Sequence, residues 1–307
     1  MTVPEQPWQA LRDRLLDAGI IAELGEPGVV ALGGEFNRVF DAVDALYVRT
    51  FADLGAEVWR FPPVEPKELF EKTDYVASFP QLTGSLATFT GDQRDHIELL
   101  RLRAEGQSWE ETLHPAGLMM SPAACHPLYA VLSGTLPEGG RTCDVLGSCF
   151  RHEPSADPMR MQTFRMHEFV HAGDTVSALE HRDQTAARLV DMLNSLELEI
   201  SYEPANDPFF GRTGKIMAAS QREAALKFEL LTSVYGSDAP LTAIGSANYH
   251  NDHFGQAFGI HTPGGAVAHT ACLGLGLDRT VLALLSRHGM AVSEWPATVR
   301  SILWPDA

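Results

Sequence analysis

The stretch that most constrains the fold is CFRHEPSADPMRMQTFRMHEFVH, residues 149–171. Its two apolar edges, VLGSCF and RMHEFV, read as strands. Between them EPSADPMRMQ is polar and carries two prolines, so it reads as a loop. The pattern predicts a long antiparallel hairpin with charged side chains on one face. Arg151, Arg160 and Arg165 suit phosphate or carboxylate; Glu153 and Glu168 suit hydrogen bonding or a metal; Phe169 suits stacking on a flat ring. The bland alternative is a solvated hairpin. What argues against it is the order FRHE, loop, RxxxF, together with a second feature far downstream.

That feature is ACLGLGLDRTVLALL, residues 271–285. Gly274 and Gly276 permit close backbone packing or a turn. Asp278 and Arg279 then open an apolar run that reads as a buried helix. The spacing is GxGxxR, without a final glycine or a preceding βαβ unit, so a dinucleotide fingerprint is excluded. FRHE, loop, RMHEF resembles motif 2 of the class II aminoacyl-tRNA synthetases, and GLGLDR resembles their motif 3. Within that superfamily the chain is similar to seryl-type catalytic domains, above all to the small homologues without a tRNA-binding arm, the amino acid:[carrier protein] ligases. The resemblance runs from about residue 35 to the C-terminus. It implies an α+β fold, an antiparallel sheet flanked by helices. One catalytic domain is expected over residues 1–307, with 1–34 as a short extension and 35–307 as the core.

The 307 residues are within range for one large α+β unit, and 45% hydrophobic content is enough for a sizeable core. No apolar run is long enough to span a bilayer, and no basic-then-apolar signal opens the chain. Four irregularly spaced cysteines suggest no disulfide framework, which points to a reducing cytoplasm. With 23 basic and 40 acidic residues the net charge is −17, and lysine occurs only at Lys67, Lys72, Lys215 and Lys227. Nucleic-acid binding draws on Lys and Arg neutralising phosphates. This balance, and the lack of a coiled-coil arm, count against tRNA as a substrate.

In chain order, a short amphipathic helix around Trp8, Leu11, Leu15 and Leu16 precedes a Gly-rich turn. Residues 35–53 carry apolar positions at helical spacing, Gly55 closes the helix, and AEVWRFPP reads as a strand ended by Pro62 and Pro63. The segment from Phe36 to Pro63 resembles motif 1, which implies a homodimer. Residues 92–113 read as a solvated helix, 172–200 as a scaffold helix, SYEPANDPFFGRTGK as a loop, and KIMAASQREAALKFELL as helix passing into strand. LMMSPAACHPLYAVL resembles the segment where seryl enzymes carry a Thr-x-Glu loop, here replaced by Ala123, Ala124 and Cys125. TAIGSANYHNDHFGQAFGI resembles the seryl-type strand before motif 3, carrying Ser246 and Asn248. The glutamate that such strands use for magnesium falls at Thr242.

From spacing alone, Cys125, Glu168 and Cys272 read as buried residues too distant in sequence for a metal motif. The resemblance instead implies a Zn²⁺ site made by these three, with one coordination position open for the substrate's α-amino group. Cys143 and Cys149 read as structural, and His126, His167 and His269 as substitute ligands or second-layer partners. The resemblance further implies ATP-dependent adenylate formation, with Mg²⁺ arriving on the ATP. Arg151 is placed on the α-phosphate, Arg279 on the γ-phosphate, Glu153 on the adenine amino group and Phe169 on the adenine ring. Asp207, Ser246 and Asn248 are assigned to the amino acid, expected to be glycine or alanine. The implied acceptor is the phosphopantetheine thiol of an acidic carrier protein. The local basic cluster Arg212, Lys215, Arg222 and Lys227 is the expected docking face. Two alternatives stay open: a truncated seryl-type paralogue acting on tRNA or another acceptor, and a non-catalytic amino-acid-binding regulator.

Overall fold

The computed structural model describes residues 6–207 and 225–305. A nine-residue helix with Leu11 and Leu15 buried precedes helix α1 (Gly34–Thr50). Phe36, Val39, Phe40, Val43 and Tyr47 recur at helical spacing along α1 and are all buried. After a short 3-10 turn, Gly55 takes the left-handed conformation (φ 59) and redirects the chain into β1 (Glu57–Arg60). Strands β2 (Val64–Pro66), β3 (Ser85–Thr88) and β4 (His114–Met120) form a small antiparallel sheet in the order β2-β4-β3. Helix α2 (Gln93–Ala104), between β3 and β4, is capped at Asp92 by a reciprocal capping box and buries no residue. It matches the solvated helix expected there.

The main sheet follows: β5 (Arg141–Phe150), β6 (Thr163–Gly173), helix α3 (Thr175–Ser195), β7 (Ser201–Pro204), β8 (Lys227–Thr232), β9 (Thr242–Tyr249), β10 (His269–Gly276) and helix α4 (Leu277–His288). Its order is β7-β8-β9-β10-β6-β5-β1, antiparallel throughout except where β1 runs parallel to β5. The hairpin read from sequence is β5–β6, with the loop at 151–162. Tyr202 and its neighbours, expected in a loop, form the edge strand β7 because they pair with Phe228–Leu231.

One face of the sheet is dry. Phe169, Leu273 and Leu275 pack there with Tyr47 of α1, Leu189 of α3 and Leu282 of α4. Each such fully buried side chain contributes roughly 1.5–3 kcal/mol. Two polar anchors lock helices to this face. Asp278, almost fully buried at the start of α4, accepts from the Arg165 backbone N–H at 2.6 Å and from its Nε at 3.0 Å. His167 is held between Asp44 of α1 (2.6 Å) and Asp144 of β5 (2.8 Å), and Arg60 of β1 also donates to Asp144 at 2.8 Å. Among the described residues no helix is long and apolar enough to cross a membrane.

Candidate active site

The opposite face of the sheet floors a cavity of about 500 Å³, within the size range of small-molecule sites. Strand register sets its floor. Glu229, Ser246, Gly274 and Glu168 are successive partners across β8, β9, β10 and β6; Lys227, Asn248 and Cys272 form the neighbouring row. Gly274 suits this close packing, since a Cβ there would meet the end of the Met166 side chain at 3.1 Å.

At one corner, Cys125 comes from the turn after β4, Glu168 from β6 and Cys272 from β10. One donor atom of each lies within 4.8 Å of the others, and all three residues are buried. The backbone N–H of Ala124 donates to Glu168 Oε1 (3.0 Å), and Cys272 Sγ lies 3.1 Å from Oε2. The Cys272 thiol is pushed well above its ordinary range by its hydrogen bond with Cys125 and by burial beside Glu168. Two soft sulfurs, whose ionisation burial opposes, and one carboxylate are a donor set that a divalent cation would relieve. Their number and kind fit Zn²⁺ with a position left open.

Two guanidinium groups also approach each other in the cavity. Arg151 Nε donates to the Pro122 carbonyl (3.1 Å), and the group sits 5.3 Å from the Phe164 ring centre. Arg279 donates from Nε to the Met159 carbonyl (2.8 Å) and from Nη1 to the Ala243 carbonyl (3.0 Å). Among the described residues neither has a carboxylate partner. Burial and then the nearby Arg151 depress the Arg279 pKa, so an anion between them would be welcome. Glu153 lines the same cavity, 3.4 Å from Arg160 Nη1.

The third wall holds Tyr75, His126, His250 and Phe254. Burial and the nearby Arg151 push His126 down to about 3, and burial with His253 pushes His250 to about 4. Both imidazoles are therefore neutral at physiological pH.

The structure thus brings together Arg151, Glu153, Arg279, Asp207, Ser246, Asn248, Cys125, Glu168 and Cys272 around one cavity. Phe169 is the exception. It lies 5.2 Å from Tyr47 and 5.0 Å from Phe51 in the core, on the other face of β6. The same R-x-x-x-F spacing occurs five residues earlier, from Arg160 to Phe164, and Phe164 does line the cavity. An odd shift along a strand exchanges faces, so only one of the two phenylalanines can reach the site. Arg165, assigned to anions by its charge, is likewise on the dry face with Asp278. His167 faces away with it, and His269 bonds the Tyr249 hydroxyl; of the three adjoining histidines only His126 lines the cavity.

Lys227 also departs from expectation. It is only 9% exposed and bonds Asp207 inside the cavity wall, so it is no part of an outward docking face. Arg212, Lys215 and Arg222 lie outside the described residues. Thr242 is not among the lining residues. Cys143 and Cys149 are buried in the apolar cluster beneath the cavity, as expected of structural cysteines.

No protein-family model matches the chain. The chain is 40% identical over 293 residues to amino acid–[acyl-carrier-protein] ligase 2 of Bradyrhizobium diazoefficiens, covering 95% of this chain and 87% of that one. It is 38% identical over 306 residues to ligase 1 of the same organism, covering 98% and 92%. The chain belongs to the amino acid–[acyl-carrier-protein] ligase family. More distantly, the ligase is 26% identical over 280 residues to the type-2 serine–tRNA ligase of Methanopyrus kandleri, covering 83% of this chain and 52% of the relative. Its fold is that of the class II synthetases. It superposes with a TM-score of 0.81 on M. kandleri SerRS, solved with an A. aeolicus tRNASec, at 22% identity over 99% of this chain and 61% of that one. The cytoplasmic serine–tRNA ligase of Naegleria fowleri, in complex with AMP, gives a TM-score of 0.71 at 15% identity, over 95% and 59%. The ligase is therefore an enzyme of amino-acid and carrier-protein chemistry.

Proposed function

We propose that the ligase activates glycine or alanine with ATP and passes the aminoacyl group to the phosphopantetheine thiol of a carrier protein. The observation that carries this reading is the placement of the Cys125–Glu168–Cys272 corner and the Arg151–Arg279 pair in one cavity. The first three would hold zinc, which supplies a Lewis-acid position for a neutral α-amine. In this cavity Arg151 would receive the substrate carboxylate. One carboxylate oxygen attacks the α-phosphorus of ATP, the bond to the leaving pyrophosphate breaks, and an aminoacyl-adenylate forms. Arg151 and Arg279 match the charge that develops on the phosphates, from positions already fixed by backbone carbonyls. Phe164 offers a face to the adenine and Glu153 an acceptor to its amino group. Mg²⁺ would travel with the ATP. In the second step the thiol loses its proton, its sulfur attacks the carbonyl carbon, and AMP departs.

The same reading makes the ligase a homodimer through Phe36–Pro63, supported by edge strand β1 and its exposed Val58. It makes the acceptor a carrier rather than tRNA, supported by the net charge of −17. The decisive experiment is pyrophosphate exchange across all amino acids, followed by transfer to tRNA and to a phosphopantetheinylated carrier. Exchange with glycine or alanine and transfer to the carrier are expected. Exchange strongest with serine or a large residue, or efficient charging of tRNA with no carrier, would overturn the reading. Cys125→Ser and Cys272→Ser are each expected to lose zinc and exchange together. Full zinc content in both would remove the metal site.

A further inference from the structure

Lys227 occupies an unusual place for a lysine. The register of β8, β9 and β10 lines up Lys227, Asn248 and Cys272 on three neighbouring strands, all facing the cavity. With strands ~4.8 Å apart, Lys227 stands roughly 10 Å along the floor from Cys272. Its ammonium is 2.5 Å from Asp207 Oδ1 and 3.3 Å from Glu229 Oε1. Asp207 belongs to the segment after β7, and Glu229 to β8 itself. Two carboxylates from separate segments hold this ammonium in place. Asn248, between Lys227 and Cys272, is also tied, donating from Nδ2 to Ser246 Oγ at 3.1 Å.

We propose that Lys227, clamped between Asp207 and Glu229, is the specificity-determining residue that limits amino-acid side-chain length. The proposal rests on the reading above, in which the α-amine meets the Cys125–Glu168–Cys272 corner and Arg151 receives the carboxylate. The floor beyond Cys272 then runs past Asn248 and ends at the ion pair. A long apolar side chain reaching that point would strip solvent from paired charges and return no hydrogen bond. Displacing the ammonium would break its contacts with both Asp207 and Glu229, which holds it in place. Small side chains stop short of it. Lys227 thus acts as a wall made of charge, and its closure needs no bulky residue.

The test is pyrophosphate exchange by the holoenzyme with glycine, alanine, 2-aminobutyrate, norvaline and methionine. Wild type, Lys227→Ala and Lys227→Arg are compared, with KM and kcat resolved. In Lys227→Ala the preference for alanine over norvaline and methionine is expected to fall by about tenfold or more, chiefly through a lower KM for the longer substrates. Lys227→Arg, which keeps the charge, is expected to retain the wild-type profile. If Lys227→Ala scales every amino acid by one common factor, the residue is only structural and the proposal is overturned. Should that variant fail to fold, Asp207→Asn combined with Glu229→Gln unties the clamp at constant volume. Weakened discrimination there supports the proposal, and an unchanged profile overturns it. Absence of any amino-acid-dependent exchange by wild type would instead overturn the activation reading, a result distinct from exchange with an unaltered profile.

Discussion

Phe164 and Phe169 share one strand and one residue type, yet they face opposite environments. That opposition makes a paired prediction. Phe164→Ala removes an aromatic face from the cavity, a loss of about 1–3 kcal/mol for base stacking, so KM for ATP should rise roughly tenfold or more with little change in stability. Phe169→Ala empties a fully packed site beside Tyr47 and Phe51 and should cost roughly 3–5 kcal/mol of unfolding free energy. Nucleotide affinity of the surviving folded protein should then stay near wild type. Exchange kinetics and urea unfolding on both variants check the pair. A KM effect confined to Phe169→Ala would reverse the assignment of faces.

Among elements, α2 and β6 are extremes. Strand β6 carries Glu168 and Phe164 to the cavity and Arg165, His167 and Phe169 to the core, so each second residue serves a different half of the molecule. Helix α2 serves neither. It buries no residue, and its Arg101 pairs with Glu98 inside the helix and with Glu105 just past its end. Exposed pairs of this kind contribute little to stability. Replacing residues 93–104 by a short Gly/Ser linker should therefore shift Tm by no more than roughly 2–4 °C and leave exchange intact. Calorimetry and pyrophosphate exchange measure this; a large loss of Tm would show that α2 supports the fold.

For the whole molecule, stability should respond to pH through Glu65. The residue is 1% exposed on β2, and among the described residues neither carboxylate oxygen has a hydrogen-bond partner. Burial raises its pKa from 4.5 to about 7. The folded state therefore binds its proton more tightly than the unfolded chain. The associated stability is fully present below the unfolded pKa and is lost as pH rises through the folded one, on the order of 3 kcal/mol in all. Glu65→Gln should be more stable than wild type at about pH 8, with the advantage vanishing by about pH 4. Urea unfolding at both values reads the difference; a constant offset would show that Glu65 does not titrate in this window. Net charge acts at the same scale. Two acidic bodies repel, so docking of an acidic carrier needs local basic residues. Reversing Lys215 and Arg222 to Glu should slow aminoacyl transfer and spare exchange; equal transfer rates would place the docking face elsewhere.

Much of this was legible in the chain. The β5–β6 hairpin, α1, α4 and the solvated α2 follow from local periodicity and turn chemistry, which act over a few residues. Arg151, Glu153 and Arg279 were legible because short motifs carry them. Cys125, Glu168 and Cys272 were not legible from spacing, since more than forty residues separate the first two and a hundred the last; only the resemblance joined them. Two choices belonged to tertiary structure alone. Sequence could not choose between the two R-x-x-x-F spacings, because strand alternation has a period of two but no origin until β6 pairs with β10 and β5 and α1 covers one face. Nor could it tell an exposed lysine from a buried one. Lys227 belongs to the cavity because β8 aligns it with Asn248 and the chain after β7 returns Asp207 to meet it, a contact between residues twenty apart that local pattern does not encode.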